Sequence, residues 1–176
     1  MSISRAGALP AVTLVLGGAR SGKSRYAEAL VTSAAVSGTY IATAEAGDAE
    51  MAARIARHRD ERGGAWRTVE APLDLVGALA ALTADEVAAV DCLTLWLSNL
   101  MMTERDIAAE AQGLEDAVRA CPAKLWLVSN EVGGGITPDN ALARRFRDEA
   151  GLLHQRLAIA CESVVLVTAG LPLRLK

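Results

Sequence analysis

Eight consecutive residues, Gly17-Gly18-Ala19-Arg20-Ser21-Gly22-Lys23-Ser24, have the types and spacing G-x-x-x-x-G-K-[ST] of a loop that holds phosphate. The glycines permit a tight turn that aims backbone N–H groups inward. A helix opening near Lys23 adds the positive end of its dipole to the same cavity. In such a loop the Lys23 ammonium lies between the β- and γ-phosphates of a purine nucleoside triphosphate, and the Ser24 hydroxyl is a ligand of Mg2+. The alternative is a glycine-rich turn that only joins strand to helix. The complete pattern, set between an apolar run and a helical stretch, favours the phosphate loop.

Other residues suit the same chemistry. The run Val87-Ala88-Ala89-Val90 ends in Asp91, and a carboxylate at the end of a strand neighbouring the first would hold Mg2+ directly or through water. A strand ending in Asp is also a common turn opener. His58 lies in Met51-Ala52-Ala53-Arg54-Ile55-Ala56-Arg57-His58-Arg59-Asp60-Glu61-Arg62, where Met51, Ile55, His58 and Arg62 share one helical face. Arg54 and Arg62, one turn away on either side, disfavour the imidazolium and leave a neutral ring able to act as a nucleophile. A solvated histidine among arginines fits the same spacing. Glu70 follows Trp66-Arg67-Thr68-Val69, where a strand-end carboxylate can accept from a guanine N1–H and exocyclic amine, or simply meet solvent. Ser129-Asn130-Glu131-Val132-Gly133-Gly134-Gly135 follows another apolar run and is a candidate acceptor loop or a plain connector.

These residues need a sheet to gather them. Val12 to Leu16, Thr39 to Thr43, Val87 to Asp91, Leu125 to Ser129 and Val164 to Thr168 read as buried strands, with weaker strands at Trp66 to Glu70 and Leu171 to Lys176. Helical spacing covers Ser24 to Ala35, Ala49 to Arg62, Leu73 to Leu82, Glu104 to Ala120 and Ala141 to Cys161. Alternating strands and helices predict an α/β fold: one three-layer domain with a mainly parallel sheet, spanning residues 1–176. With 52% hydrophobic but only 3% aromatic residues, the core must be aliphatic.

A net charge of -3 gives no general electrostatic reason to expect binding to nucleic acid or to an anionic membrane. Cys92, Cys121 and Cys161 are odd in number and lack metal spacing, which predicts reduced thiols. The N-terminus lacks the apolar stretch of a secretory signal and no run is long enough for a membrane span, so a cytoplasmic protein is expected.

The ordered set GGARSGKS at 17–24, YIATAEA at 40–46, MAARIARHRDER at 51–62, WRTVEAP at 66–72, VDCLTLWLSNL at 90–100 and VSNEVGGGITPDNALARRFRDEAG at 128–151 resembles the bifunctional adenosylcobinamide kinase and adenosylcobinamide-phosphate guanylyltransferase family. The histidine helix and VSNEVGGGITP are its most distinctive parts. The resemblance implies a P-loop enzyme that phosphorylates adenosylcobinamide with ATP or GTP, then joins GMP from GTP to that phosphate. It implies His58 as the guanylylated nucleophile, with Ala42, Thr43, Ala44, Arg59, Asp60, Glu61, Arg62, Glu70 and Asp91 at positions associated with GTP. It also implies a homo-oligomer, a trimer. Gly63 stands where members commonly have Pro, and His154 where Asn is usual. The rival expectations are another P-loop small-molecule kinase and a nucleotide-gated binding protein.

Overall fold

The computed structural model describes residues 11–34, 37–44 and 66–176. The histidine helix expected over Ala49 to Arg62, with His58, lies outside the described residues. Seven strands form one sheet: β1 (Val12–Gly17), β2 (Gly38–Ala42), β3 (Trp66–Glu70), β4 (Val87–Asp91), β5 (Lys124–Asn130), β6 (Ser163–Thr168) and β7 (Leu171–Arg174). The helices are α1 (Lys23–Ala34), α2 (Leu75–Ala80), α3 (Leu93–Met102), α4 (Ile107–Ala120) and α5 (Ala141–Ala160). The strand order is β3-β2-β4-β5-β1-β6-β7, parallel throughout except for β7, which runs antiparallel to β6.

Residues along each strand alternate between the two faces, and this sorts the core into two parts. Leu14, Leu16, Leu125 and Leu127 pack with Leu75, Trp96, Leu114 and Leu157 of α2 to α5. Val15, Trp126 and Val128 pack with Ala27, Leu30 and Val31 of α1. Every residue of β1 is buried, as a central strand covered on both faces requires. The three-layer α/β expectation holds, and both weak strands form.

Helix α3 went unread in the sequence. Its residues LTLWLSNLMM are apolar almost all round, and Leu93, Thr94, Trp96, Leu97 and Leu100 are all buried, so the segment has no polar face to reveal a helical period. Helix α5, by contrast, starts where Asn140 caps it, accepting from the Ala143 N–H at 2.8 Å.

Strands β6 and β7 are joined by two residues, Ala169 (φ 52°) and Gly170 (φ 77°), between the paired Thr168 and Leu171. Positive φ at both positions is the hairpin turn whose twist matches its strands. Pro172 is tolerated because β7 is the sheet edge. Among the described residues, no helix is long and apolar enough to cross a membrane, and all three cysteines are free, two of them buried.

Candidate active site

Gly17 closes β1, and Lys23 opens α1. The five residues between them fold over the end of β1. A Cβ on Gly17 would collide with Ser21 Oγ and lie 2.6 Å from the Val167 carbonyl oxygen, so only glycine fits there. Gly22 adopts φ +94°, and a Cβ on it would meet Gly170 Cα at 3.2 Å. The Ser21 N–H donates to the Gly18 carbonyl at 3.3 Å, and Lys23 Nζ donates to the same oxygen at 3.3 Å. Lys23 is buried and Ser24 half-buried in the first turn of α1.

The loop fits a polyphosphate. Ser21 Oγ is buried without a hydrogen-bond partner. Among the described residues, the N–H groups of Ala19, Arg20 and Gly22 donate no hydrogen bond. Buried polar groups are normally paired, so the orphan Ser21 hydroxyl, beside open loop N–H groups at the α1 N-terminus, is matched to an anion.

All the parallel strands end on the same side, so their last residues make a row. Ala42 pairs with Glu70 on one side and with Asp91 on the other, Asp91 pairs with Val128, and Gly17 pairs with Asn130. The row therefore runs Glu70, Ala42, Asp91, Asn130, Gly17. Asp91 was expected on a strand neighbouring β1. Instead β5 lies between β4 and β1, which puts Asp91 two strand spacings, roughly 10 Å, from the line of β1. It is also level with Val15 and not with Gly17, since both Asp91 and Val15 pair with Val128. Residue alternation within a strand cannot report strand order, so the sequence hid this.

Cys92, next to Asp91, senses both charges. Burial chiefly, and then the Asp91 carboxylate, push its thiol above the ordinary range, while hydrogen bonds from Thr94 and Leu95 and the Lys23 ammonium pull it down. Among the described residues, no three His, Cys, Asp or Glu side chains gather as a metal cage. Ser24 and Asp91 each offer oxygen, the donor type that Mg2+ prefers, and phosphates and waters would have to complete an octahedron around it.

Thr43 fixes the ends of β2 and β4 together. It is fully buried; its Oγ1 accepts from the Cys92 N–H at 2.8 Å and donates to the Cys92 carbonyl at 2.8 Å. Asn99 Nδ2 of α3 donates to the Thr43 carbonyl at 2.8 Å and to the Pro72 carbonyl at 3.0 Å, tying together the segments that follow β2 and β3. Ala42, Thr43, Ala44 and Glu70 thus form one cluster at the far end of the row. Asn130 fills the gap between Asp91 and Gly17, its Nδ2 donating to Thr94 Oγ1 at 2.9 Å. The sequence reading did not single out Asn99, Thr94 or His154 as site residues. An isolated Asn in an apolar helix was the available signal for Asn99. Arg59, Asp60, Glu61 and Arg62 lie outside the described residues with His58.

Residues 13–175 match the family described as cobinamide kinase / cobinamide phosphate guanyltransferase. The chain belongs to this family. It is 48% identical to the bifunctional adenosylcobalamin biosynthesis protein CobP of Pseudomonas aeruginosa, over 93% of this chain and 96% of the relative. It is 45% and 44% identical to the CobU proteins of Salmonella typhimurium and Escherichia coli, bifunctional adenosylcobalamin biosynthesis proteins, over 93% of this chain and 98% of each relative. The RadB recombinase structure superposes with a TM-score of 0.48 at 16% identity, covering 89% of this chain and 74% of that one. As a member of the cobinamide kinase / cobinamide phosphate guanyltransferase family, the chain is an enzyme with those two activities.

Proposed function

We propose that this enzyme phosphorylates the side-chain hydroxyl of adenosylcobinamide with ATP or GTP on the Gly17–Ser24 loop, and then builds adenosylcobinamide-GDP from that phosphate and GTP. The observation that carries the kinase half is the cradle itself: an unpartnered buried Ser21 hydroxyl, open loop N–H groups and the Lys23 ammonium converge at the α1 N-terminus. Such a site catalyses phosphoryl transfer by orientation and charge stabilisation. Bound Mg2+, held by Ser24 and Asp91, would supply a further positive charge against the phosphate oxygens.

In the guanylyl half, His58 is the nucleophile. Its ring nitrogen forms a bond to the α-phosphorus of GTP as the bond to the α,β-bridging oxygen breaks and pyrophosphate leaves. The terminal phosphate oxygen of the acceptor then takes the GMP unit, breaking the N–P bond. Arg59, Asp60, Glu61 and Arg62 beside His58, and Ala42, Thr43, Ala44, Glu70 and Asp91 along the strand-end row, hold the guanine nucleotide. The protein acts as a cytoplasmic homo-oligomer, a trimer. GTP labelled separately at the α and γ positions tests this, with and without acceptor. α-Label on protein and γ-label on acceptor are expected. γ-Label on the acceptor with no α-label on the protein would show another P-loop small-molecule kinase, and GTP bound with neither label transferred would show a binding protein instead.

A further inference from the structure

Beside the phosphate loop stands a carboxylate to which neither activity has yet given a role. The Glu131 N–H donates to the Gly17 carbonyl at 3.0 Å, so the residue just past β5 is stitched to the first glycine of the loop. Its side chain is 40% exposed and lies between Gly133 and His154. Oε1 accepts from the Gly133 N–H at 2.6 Å. Oε2 lies 3.9 Å from His154 Nδ1, too far for a hydrogen bond, and among the described residues it accepts none. His154, whose side chain is only 9% exposed, is fixed in turn by Ser129, with Nε2 and Oγ 2.7 Å apart.

Ser129 is fully buried and cannot reach a substrate, so the Ser129, His154, Glu131 series is not a hydrolytic triad. Its outer end is the group that meets solvent. We infer that Glu131 is the general base of the phosphoryl-transfer step and that His154 is its positioning residue. Glu131 Oε2 takes the proton of the acceptor hydroxyl as that oxygen bonds to the γ-phosphorus; the γ-phosphorus bond to the β,γ-bridging oxygen breaks, and its electron pair leaves on the nucleoside diphosphate. Asp91, the carboxylate of the strand-end row nearer the loop, ends a strand two places from β1, whereas the Glu131 backbone is hydrogen-bonded to Gly17 directly. A base must lie within hydrogen-bond reach of the proton it removes, and the backbone tie to Gly17 sets Glu131 at the end of β1, where the phosphate loop begins.

This rests on the kinase activity proposed above, and the test separates the two. Full-length wild type, E131Q, E131A, H154A and the E131A/H154A double variant are assayed with γ-labelled nucleoside triphosphate and cobinamide. Wild type that transfers no γ-label would sink both ideas. With wild type active, E131Q should lose about 100-fold or more in kcat while the KM for acceptor and the nucleotide Kd stay within about 3-fold. Formate, a small replacement base, should raise the E131A rate about 10-fold or more, which no structural role for Glu131 would produce. H154A should lower kcat about 10-fold beside Glu131 and less than about 2-fold in the E131A background. E131Q within about 3-fold of wild type, or folded E131A indifferent to formate, would overturn the base assignment. An undiminished His154 effect in the double variant would overturn the positioning role.

Discussion

The backbone N–H of Gly170 donates to the carbonyl of Ser21 at 2.8 Å, so the turn between β6 and β7 is bound directly to the phosphate loop. The two segments touch so closely that a Cβ on Gly22 would sit 3.2 Å from Gly170 Cα. The edge hairpin therefore supports the loop from outside, through backbone alone.

Gly22→Ala should reveal that dependence. At φ +94° an L residue is strained by about 1–2 kcal/mol or more, and the new methyl must also push the hairpin turn away. Nucleotide affinity is expected to fall by about 5- to 30-fold, measured by calorimetric titration. An unchanged Kd would mean that the loop and hairpin are not held as a unit.

Thr43→Val removes a hydroxyl that serves both backbone groups of Cys92. Valine keeps the shape but leaves the buried Cys92 N–H without its partner, while the Cys92 carbonyl still accepts from the Leu95 and Trp96 N–H groups, so the loss is about 1–3 kcal/mol. Urea denaturation should show that loss as a lower midpoint at an unchanged slope. A midpoint equal to wild type would show that the Cys92 backbone finds other partners.

Burial holds the His154 imidazole below its ordinary value, and the Glu131 carboxylate opposes this only partly. Above about pH 6.5 the ring is neutral whether the chain is folded or unfolded, and it contributes no pH dependence. As pH falls below that value the unfolded chain takes up the proton first, so stability drops until the folded-state value is passed. His154→Gln, which cannot titrate, should flatten this part of the stability profile. Denaturation midpoints between pH 5 and 7.5 measure it; parallel curves for the two proteins would remove His154 as the source.

Lys23→Ala removes the ammonium that faces the Gly18 carbonyl in the loop. A lost charge-assisted contact of this kind costs about 2–4 kcal/mol of transition-state stabilisation. The phosphoryl-transfer rate should fall at least about 30-fold. Wild-type kinetics in the folded variant would refute the assignment of the phosphate loop.

Local patterns reported what they could encode. The Gly17–Ser24 motif was legible because its chemistry is consecutive, and the strands were legible because β-branched runs stand apart from Ala- and Arg-rich helices. Strand order was not, and so Asp91 was expected closer to β1 than it lies. Nor could spacing bring His154 to Ser129, since the two meet only where α5 packs over β5, 25 residues apart in the chain. Helix α3 was hidden because burial all round erases the period that marks a surface helix.

The family resemblance makes its most specific demand of His58. A neutral imidazole that attacks the α-phosphorus of GTP must leave a phosphoramidate to GMP. Such an N–P bond breaks in mild acid, because protonating the nitrogen makes imidazole a good leaving group, whereas a phosphate ester of Ser or Thr survives. α-Label from GTP should therefore attach to the protein in an acid-labile form, and γ-label should not. His58→Ala removes the proposed nucleophile but leaves Gly17 to Ser24 and Asp91 in place, so guanylyl transfer should collapse while phosphorylation largely persists. His154 serves as an internal control: it is the only other histidine, and it is buried against Ser129. Acid-labile α-label on the His58→Ala protein at wild-type stoichiometry would eliminate His58 as the nucleophile.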